Sequence, residues 1–273
     1  MKKLMKKMHH GSIIDQIKPL DELEGGLTML AYGIAGTGKT VFGASFPKPL
    51  LLVDIKEKGT ASVTDVPDIE VLRVNAWDQI EELYWFLEKG TKYKSIVLDQ
   101  MTALQGLGMQ KIRADKNMKP TEVFSQRSWG QLSGLMQTWI YNYKELSEKN
   151  YNVCFLSHEK LTKLEDDDES DDRIAPQVGA ALIGSVQSFL NGAVSVIGNT
   201  FVRERYDKKT KENHIEFCMR VGPHAYYHSK VRRPVSAGAP PEVIVNPTYE
   251  KIMKISRGES IQSKVKRKKQ RSI

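Results

Sequence analysis

The residues Gly33-Ile34-Ala35-Gly36-Thr37-Gly38-Lys39-Thr40 fit the spacing G-x-x-x-x-G-K-[ST]. Residues of these types in this order can cradle phosphate. The glycines let successive backbone N–H groups turn inward around a β-phosphate, and Lys39 can reach the β- and γ-phosphates. The Thr40 hydroxyl can ligate Mg²⁺ at the positive end of a helix. The stretch 33–40 is therefore a candidate nucleoside-triphosphate site, with ATP and Mg²⁺ as the implied ligands.

Such a loop works only between a strand and a helix. Residues 28–32 read as a buried strand and residues 39–45 as a helix start, so the motif falls at the required junction. A phosphate site also needs a carboxylate at the end of another buried strand. Ser95-Ile96-Val97-Leu98-Asp99 supplies three apolar β-formers followed by Asp99, a candidate holder of the Mg²⁺ water shell. Asp99 could instead cap a helix starting near Thr102. Its position downstream of the loop favours the metal role.

Other elements complete an alternating pattern. Strands are expected at 49–54 and 69–74. Trp77, Ile80, Leu83 and Leu87 recur at helical spacing before Lys89-Gly90, which predicts a helix over 77–87. A long amphipathic helix is expected over 129–148, preceded by a polar linker, 115–127, that carries Lys116, Lys119 and Arg127 and reads as a mobile loop. Residues 153–157 read as a further central strand tipped by His158 and Glu159. The last third reads as a helix over 178–190, strands at 193–198, 201–206 and 214–220 with a polar turn at 207–213, then loop over 234–247. Strand, helix, strand succession implies a mainly parallel sheet with helices on both faces and a β-rich C-terminal part.

Composition narrows the class. With 273 residues, 40% of them hydrophobic, the chain can bury one large α/β core. There is no run of eighteen apolar residues and no apolar core behind the basic N-terminus, so a cytoplasmic protein without a membrane partner is expected. Cys154 and Cys218 sit in apolar strand contexts and read as buried thiols rather than a disulfide.

The formal net charge of +8 is concentrated at the ends. Lys2, Lys3, Lys6 and Lys7 mark a basic arm over 1–20, and Lys264, Lys266, Arg267, Lys268, Lys269 and Arg271 a basic tail over 258–273. The domain between them, 21–257, is slightly acidic. Arms of this kind suit non-specific phosphate contact. The run 165–172 holds seven carboxylates in eight residues, which the cost of burying charge places on a solvated loop.

Phosphate loop, strand-end acid, His-tipped strand and β-rich close, in this order, resemble RecA-like ATPases. The similarity covers residues 27–235 and is nearest to phage-encoded P-loop proteins of the Sak type, which act in single-strand annealing and recombination. The resemblance implies an α/β fold with a RecA-like P-loop core and ATP hydrolysis that is slow unless assembly or DNA stimulates it. It also implies self-association into a ring or filament on single-stranded DNA, with a single-strand-binding protein as a further partner, in the cytoplasm of a phage-infected bacterium.

The resemblance also assigns roles. Glu57, one place later than the usual Asp-x-Glu and with Lys56 in the expected slot, would polarise the attacking water. His158 would sense the γ-phosphate. Lys230 and Arg232 resemble the Lys-x-Arg that such ATPases project into a neighbour's nucleotide, where cations neutralise transition-state charge. The DNA-binding loops would fall at 115–127 and 160–177, the second carrying the acidic run, which opposes a DNA backbone. A nucleotide-gated scaffold for a replication or packaging partner is the alternative in another class. A small-molecule kinase also uses a P-loop, but no Arg-rich lid segment is present.

Overall fold

Short apolar runs bury strands on both faces and so place them mid-sheet. The computed structural model of the chain describes residues 17, 19, 25–162, 177–207 and 211–261. Its elements in chain order are β1 (Thr28–Tyr32), α1 (Lys39–Ala44), β2 (Leu50–Ile55), β3 (Ile69–Val74), α2 (Trp77–Glu88), β4 (Ser95–Asp99), α3 (Met101–Asp115) and α4 (Gln126–Glu145). They continue with β5 (Asn152–Ser157), β6 (Glu159–Thr162), β7 (Gln177–Ala180), α5 (Gly184–Ala193), β8 (Val196–Asp207), β9 (Glu212–Arg220), β10 (Lys230–Val231), β11 (Val243–Val245) and α6 (Tyr249–Ser256).

The main sheet runs β11-β9-β8-β1-β5-β4-β2-β3, with β10 added against β8. From β3 through β8 every pairing is parallel, and β9, β10 and β11 join antiparallel. This is the α/β fold expected from the sequence, a mainly parallel central sheet with helices on both faces and a β-rich close. Period-two alternation divides the strands between two cores. Leu30, Tyr32, Val53, Leu98 and Phe155 pack with α2, α3, α4 and α5 on one face. Met29, Ala31, Leu52, Val97 and Leu156 pack with α1 and α6 on the other. Cys154 and Cys218 are buried free thiols.

The last third departs from the expected pattern. Residues 178–180 form β7 rather than the start of a helix, because they pair antiparallel with β6, from Glu159↔Ala180 to Thr162↔Gln177. The strands expected at 193–198 and 201–206 are one continuous strand, β8, since Asn199 and Thr200 keep their ladder to β9. A strand, β11, lies inside the segment expected to be loop, and α6 follows it.

The linker 115–127 is tied down rather than mobile. Arg113 donates to the carbonyls of Lys119 (2.9 Å) and Glu122 (2.7 Å), and its guanidinium lies 4.8 Å from the centre of the buried Phe124 ring. Lys116 Nζ donates to Ser128 Oγ at 2.8 Å. The lysines at 2–7, the basic residues at 264–271, the acidic run 165–172, most of the second expected DNA loop and the tip of the turn 207–213 lie outside the described residues. Among the described residues no helix is long and apolar enough to cross a membrane.

Candidate functional site

The parallel strands β1, β4, β2 and β5 end side by side, and the segments leaving them converge on one cleft. This is where parallel α/β sheets place ligands. The loop 33–38 leaves β1, turns through Gly36 (φ 80°) and Gly38 (φ 81°), and enters α1 at Lys39. A left-handed conformation of this kind favours glycine, so the glycine spacing is a backbone requirement. Gly33 is fixed by close approach instead: a Cβ there would lie 2.3 Å from the carbonyl oxygen of Thr200.

Thr200, on β8, holds the loop from behind. Its hydroxyl lies 3.2 Å from Tyr32 O and 2.8 Å from the Thr37 hydroxyl, which in turn lies 2.8 Å from Ile34 O, so the two hydroxyl protons serve two of these three contacts. Lys39 Nζ donates to Gly33 O (2.9 Å) and Ile34 O (2.7 Å). Burial pushes its amine below the ordinary lysine range, against the opposing pull of Asp99, Glu159 and Glu57.

Thr40 Oγ donates to Asp99 Oδ2 at 2.7 Å, joining the two residues expected to serve the metal. Asp99 is 7% exposed, and burial raises its carboxyl above the usual range despite the Thr40 hydrogen bond and the Lys39 charge. A hydroxyl and a carboxylate meeting at the head of α1 are hard oxygen donors of the kind Mg²⁺ takes, so these residues fit the ion.

Glu57 reaches the same cleft, and its one-place offset has a structural cause. Asp54 Oδ1, at the end of β2, accepts from the backbone N–H groups of Glu57 (3.2 Å) and Lys58 (2.9 Å). Lys56 and Lys58 adopt left-handed backbone, φ 60° and 55°. The resulting turn sends Lys56 away, where its Nζ donates to Gln110 Oε1 at 3.1 Å, and leaves Glu57 lining the cleft. Across from it stands His158, with Nε2 3.9 Å from Glu57 Oε1.

Lys39, Thr40, Asp99, Glu57 and His158 thus border one cleft of about 360 Å³. Lys230 and Arg232 do not. They lie toward the opposite end of β1: Lys230 pairs with Ile197, which faces Leu30, and the Arg232 N–H meets Ser195 O beside Thr28, whereas the phosphate loop leaves β1 after Tyr32, level with Asn199. There Lys230 donates to Asn191 O and Arg232 to Gly192 O (3.0 Å), covering carbonyls at the C-terminus of α5.

The sequence reading missed Gln100, Thr200 and Phe217. Gln100 is 2% exposed, lines the cleft, and its Oε1 accepts from the His158 N–H at 3.1 Å, tying the strand end of Asp99 to the tip of β5. Its place directly after Asp99 was the available clue. Thr200 sat in a Gly-Asn-Thr stretch that looked like a strand break. Phe217 carried no clue beyond its place in a β pattern.

Comparison with known proteins places the chain in a family. The family model for the AAA domain matches residues 25–233, well over half of the chain. The chain belongs to the AAA-domain family. In this AAA domain the matched region contains the phosphate loop, Asp99, Glu57, His158 and the Lys230/Arg232 pair. No curated protein matches. Among solved structures, the flagellar accessory protein FlaH from Methanocaldococcus jannaschii is similar at 11% identity and a TM-score of 0.41, over 82% of this chain and 86% of that one.

Proposed function

We propose that this AAA domain hydrolyses ATP with Mg²⁺ and uses the cycle while assembled on single-stranded DNA, promoting annealing or recombination in phage DNA metabolism. The observation that carries the hydrolytic part is the convergence of the phosphate loop, the 2.7 Å Thr40–Asp99 pair and Glu57 on one cleft. Family membership supports the same reading.

The chain's own groups divide the work. The loop N–H groups and Lys39 bind and orient the phosphates. Thr40 and Asp99 would hold Mg²⁺, which supplies charge neutralisation at the β- and γ-phosphates when bound. Glu57 accepts a proton from the attacking water, and His158 and Gln100 order the γ-phosphate side of the cleft. Among the described residues, Lys39 is the one lysine or arginine lining the cleft, while Lys230 and Arg232 lie toward the opposite end of β1 and cover carbonyls of α5. Hydrolysis is therefore slow in the monomer and rises when a second copy brings its Lys230 and Arg232 to the nucleotide.

The DNA part is supported by the basic residues of both termini and by the resemblance to annealing proteins. Single-stranded DNA affinity, followed by fluorescence anisotropy as salt rises, tests it. Deleting residues 259–273 should flatten the salt slope, since fewer counterions are released. Nucleotide-dependent association without DNA binding or turnover would favour a nucleotide-gated scaffold.

A further inference from the structure

The phosphate-binding parts of the cleft are accounted for, but its wall on the β8–β9 hairpin is not. Past Thr200, which touches the phosphate loop, the hairpin extends β8 and β9 together to Asp207 and Glu212. Antiparallel partners share a face and residues two apart repeat it. Val202, its partner Phe217 and Ile215 therefore continue the face of Thr200. All three are exposed, Phe217 by 43%. Phe217 also lines the nucleotide cleft, and a Cβ on Gly38 would lie 3.2 Å from its Cδ1, so the ring stands against the loop that grips phosphate.

An exposed aromatic ring beside a phosphate cradle needs an occupant that is flat, apolar on its faces and covalently attached to phosphate. Resting on the nucleotide reading above, we infer that Phe217 is the platform for the nucleobase or its ribose, with exposed Val41 of α1 also lining the cleft. Stacking of this kind is tolerant of base identity, because every base has a π-face. Phe217, the hairpin residue that lines the cleft, offers no side-chain hydrogen-bonding atom that would separate adenine from guanine. The ring therefore selects for nucleotide over bare polyphosphate and does not itself discriminate between the purines.

The test compares equilibrium binding of Mg²⁺-ATP, Mg²⁺-GTP and Mg²⁺-tripolyphosphate to the full-length chain and to Phe217→Ala and Phe217→Tyr. The alanine variant should bind both nucleotides more weakly by roughly ten- to a hundredfold, with tripolyphosphate affinity within about twofold of wild type. The tyrosine variant should restore nucleotide affinity. Unchanged nucleotide affinity in Phe217→Ala, or equal losses for tripolyphosphate and nucleotide, would overturn the inference, the latter by showing that the ring merely shapes the loop. Failure of wild type to bind any of the three would instead remove the nucleotide reading itself. A melting temperature for each variant separates misfolding from lost contact, and Phe217→Tyr keeps the test decisive if the alanine variant unfolds.

Discussion

Glu57 Oε1 and His158 Nε2 face each other at 3.9 Å across the cleft, although they leave different strands, β2 and β5. The pairing gives Glu57 a fixed place from which to take a proton from water. Glu57→Gln keeps the shape and removes the base. It should lower turnover by about 10²- to 10⁴-fold while leaving the nucleotide dissociation constant nearly unchanged. Steady-state kinetics with parallel equilibrium binding checks this, and a variant with wild-type turnover would assign the base elsewhere.

The hydroxyl of Thr200 is the backstop of the phosphate loop. Thr200→Val removes its contacts with Tyr32 O and the Thr37 hydroxyl, leaving the 3.4 Å contact from Asn199 Nδ2 as the side-chain hydrogen bond to Tyr32 O. The expected cost is about 1–3 kcal/mol, seen as a lower melting temperature, together with weaker ATP binding. Loss of stability without loss of affinity would show that the loop keeps its form unaided.

Asp99 should cost the fold stability for the sake of the site. Burial raises its carboxyl above the unfolded value, so the folded state binds its proton more tightly. The penalty is complete above the folded-state pKa, where the group is charged in both states. It disappears as pH falls below the ordinary carboxylate range, where the group is protonated in both. Asp99→Asn should therefore melt higher than wild type at neutral pH, by on the order of 1 kcal/mol, and the difference should shrink on acidification. The same variant should lose Mg²⁺-dependent nucleotide binding. A neutral-pH melting temperature at or below that of wild type would contradict this.

Arg232 belongs to another subunit's chemistry on this account. Arg232→Ala should keep ATP affinity within about twofold and lose about 10²-fold or more in assembled turnover. Mixing it with Lys39→Ala should recover part of the activity, because one subunit supplies an intact phosphate loop and the other an intact Arg232. Two inactive variants that remain inactive when mixed would place Arg232 in a purely structural role on the α5 C-terminus.

Most of what positions the site was legible because it depends on local chemistry. The Gly36 and Gly38 positions, the apolar strand before Asp99 and the 3.6-residue period of α2 and α4 each follow from a few neighbouring residues. What escaped depends on distant partners. Gln177–Ala180 is a strand because β6 pairs with it on one side and Tyr227 bridges Val178 on the other. Gly198 and Asn199 remain in β8 because Met219 fills the space over Gly198 and because Asn199 is bonded to Arg220 (2.9 Å) and Glu159 (3.0 Å). Strand propensity, being set by cross-strand neighbours, could not report either. Glu57 looked displaced when counted along the chain, and the left-handed turn at Lys56 and Lys58 corrects the count in space.

The most direct test of the central claim is Mg²⁺-dependent ATP turnover, measured with and without single-stranded DNA, for wild type and Lys39→Ala. Turnover that DNA stimulates in wild type and that is absent from Lys39→Ala is the expected result. Turnover equal in both proteins, or nucleotide binding in wild type with no turnover and no response to DNA, would contradict it.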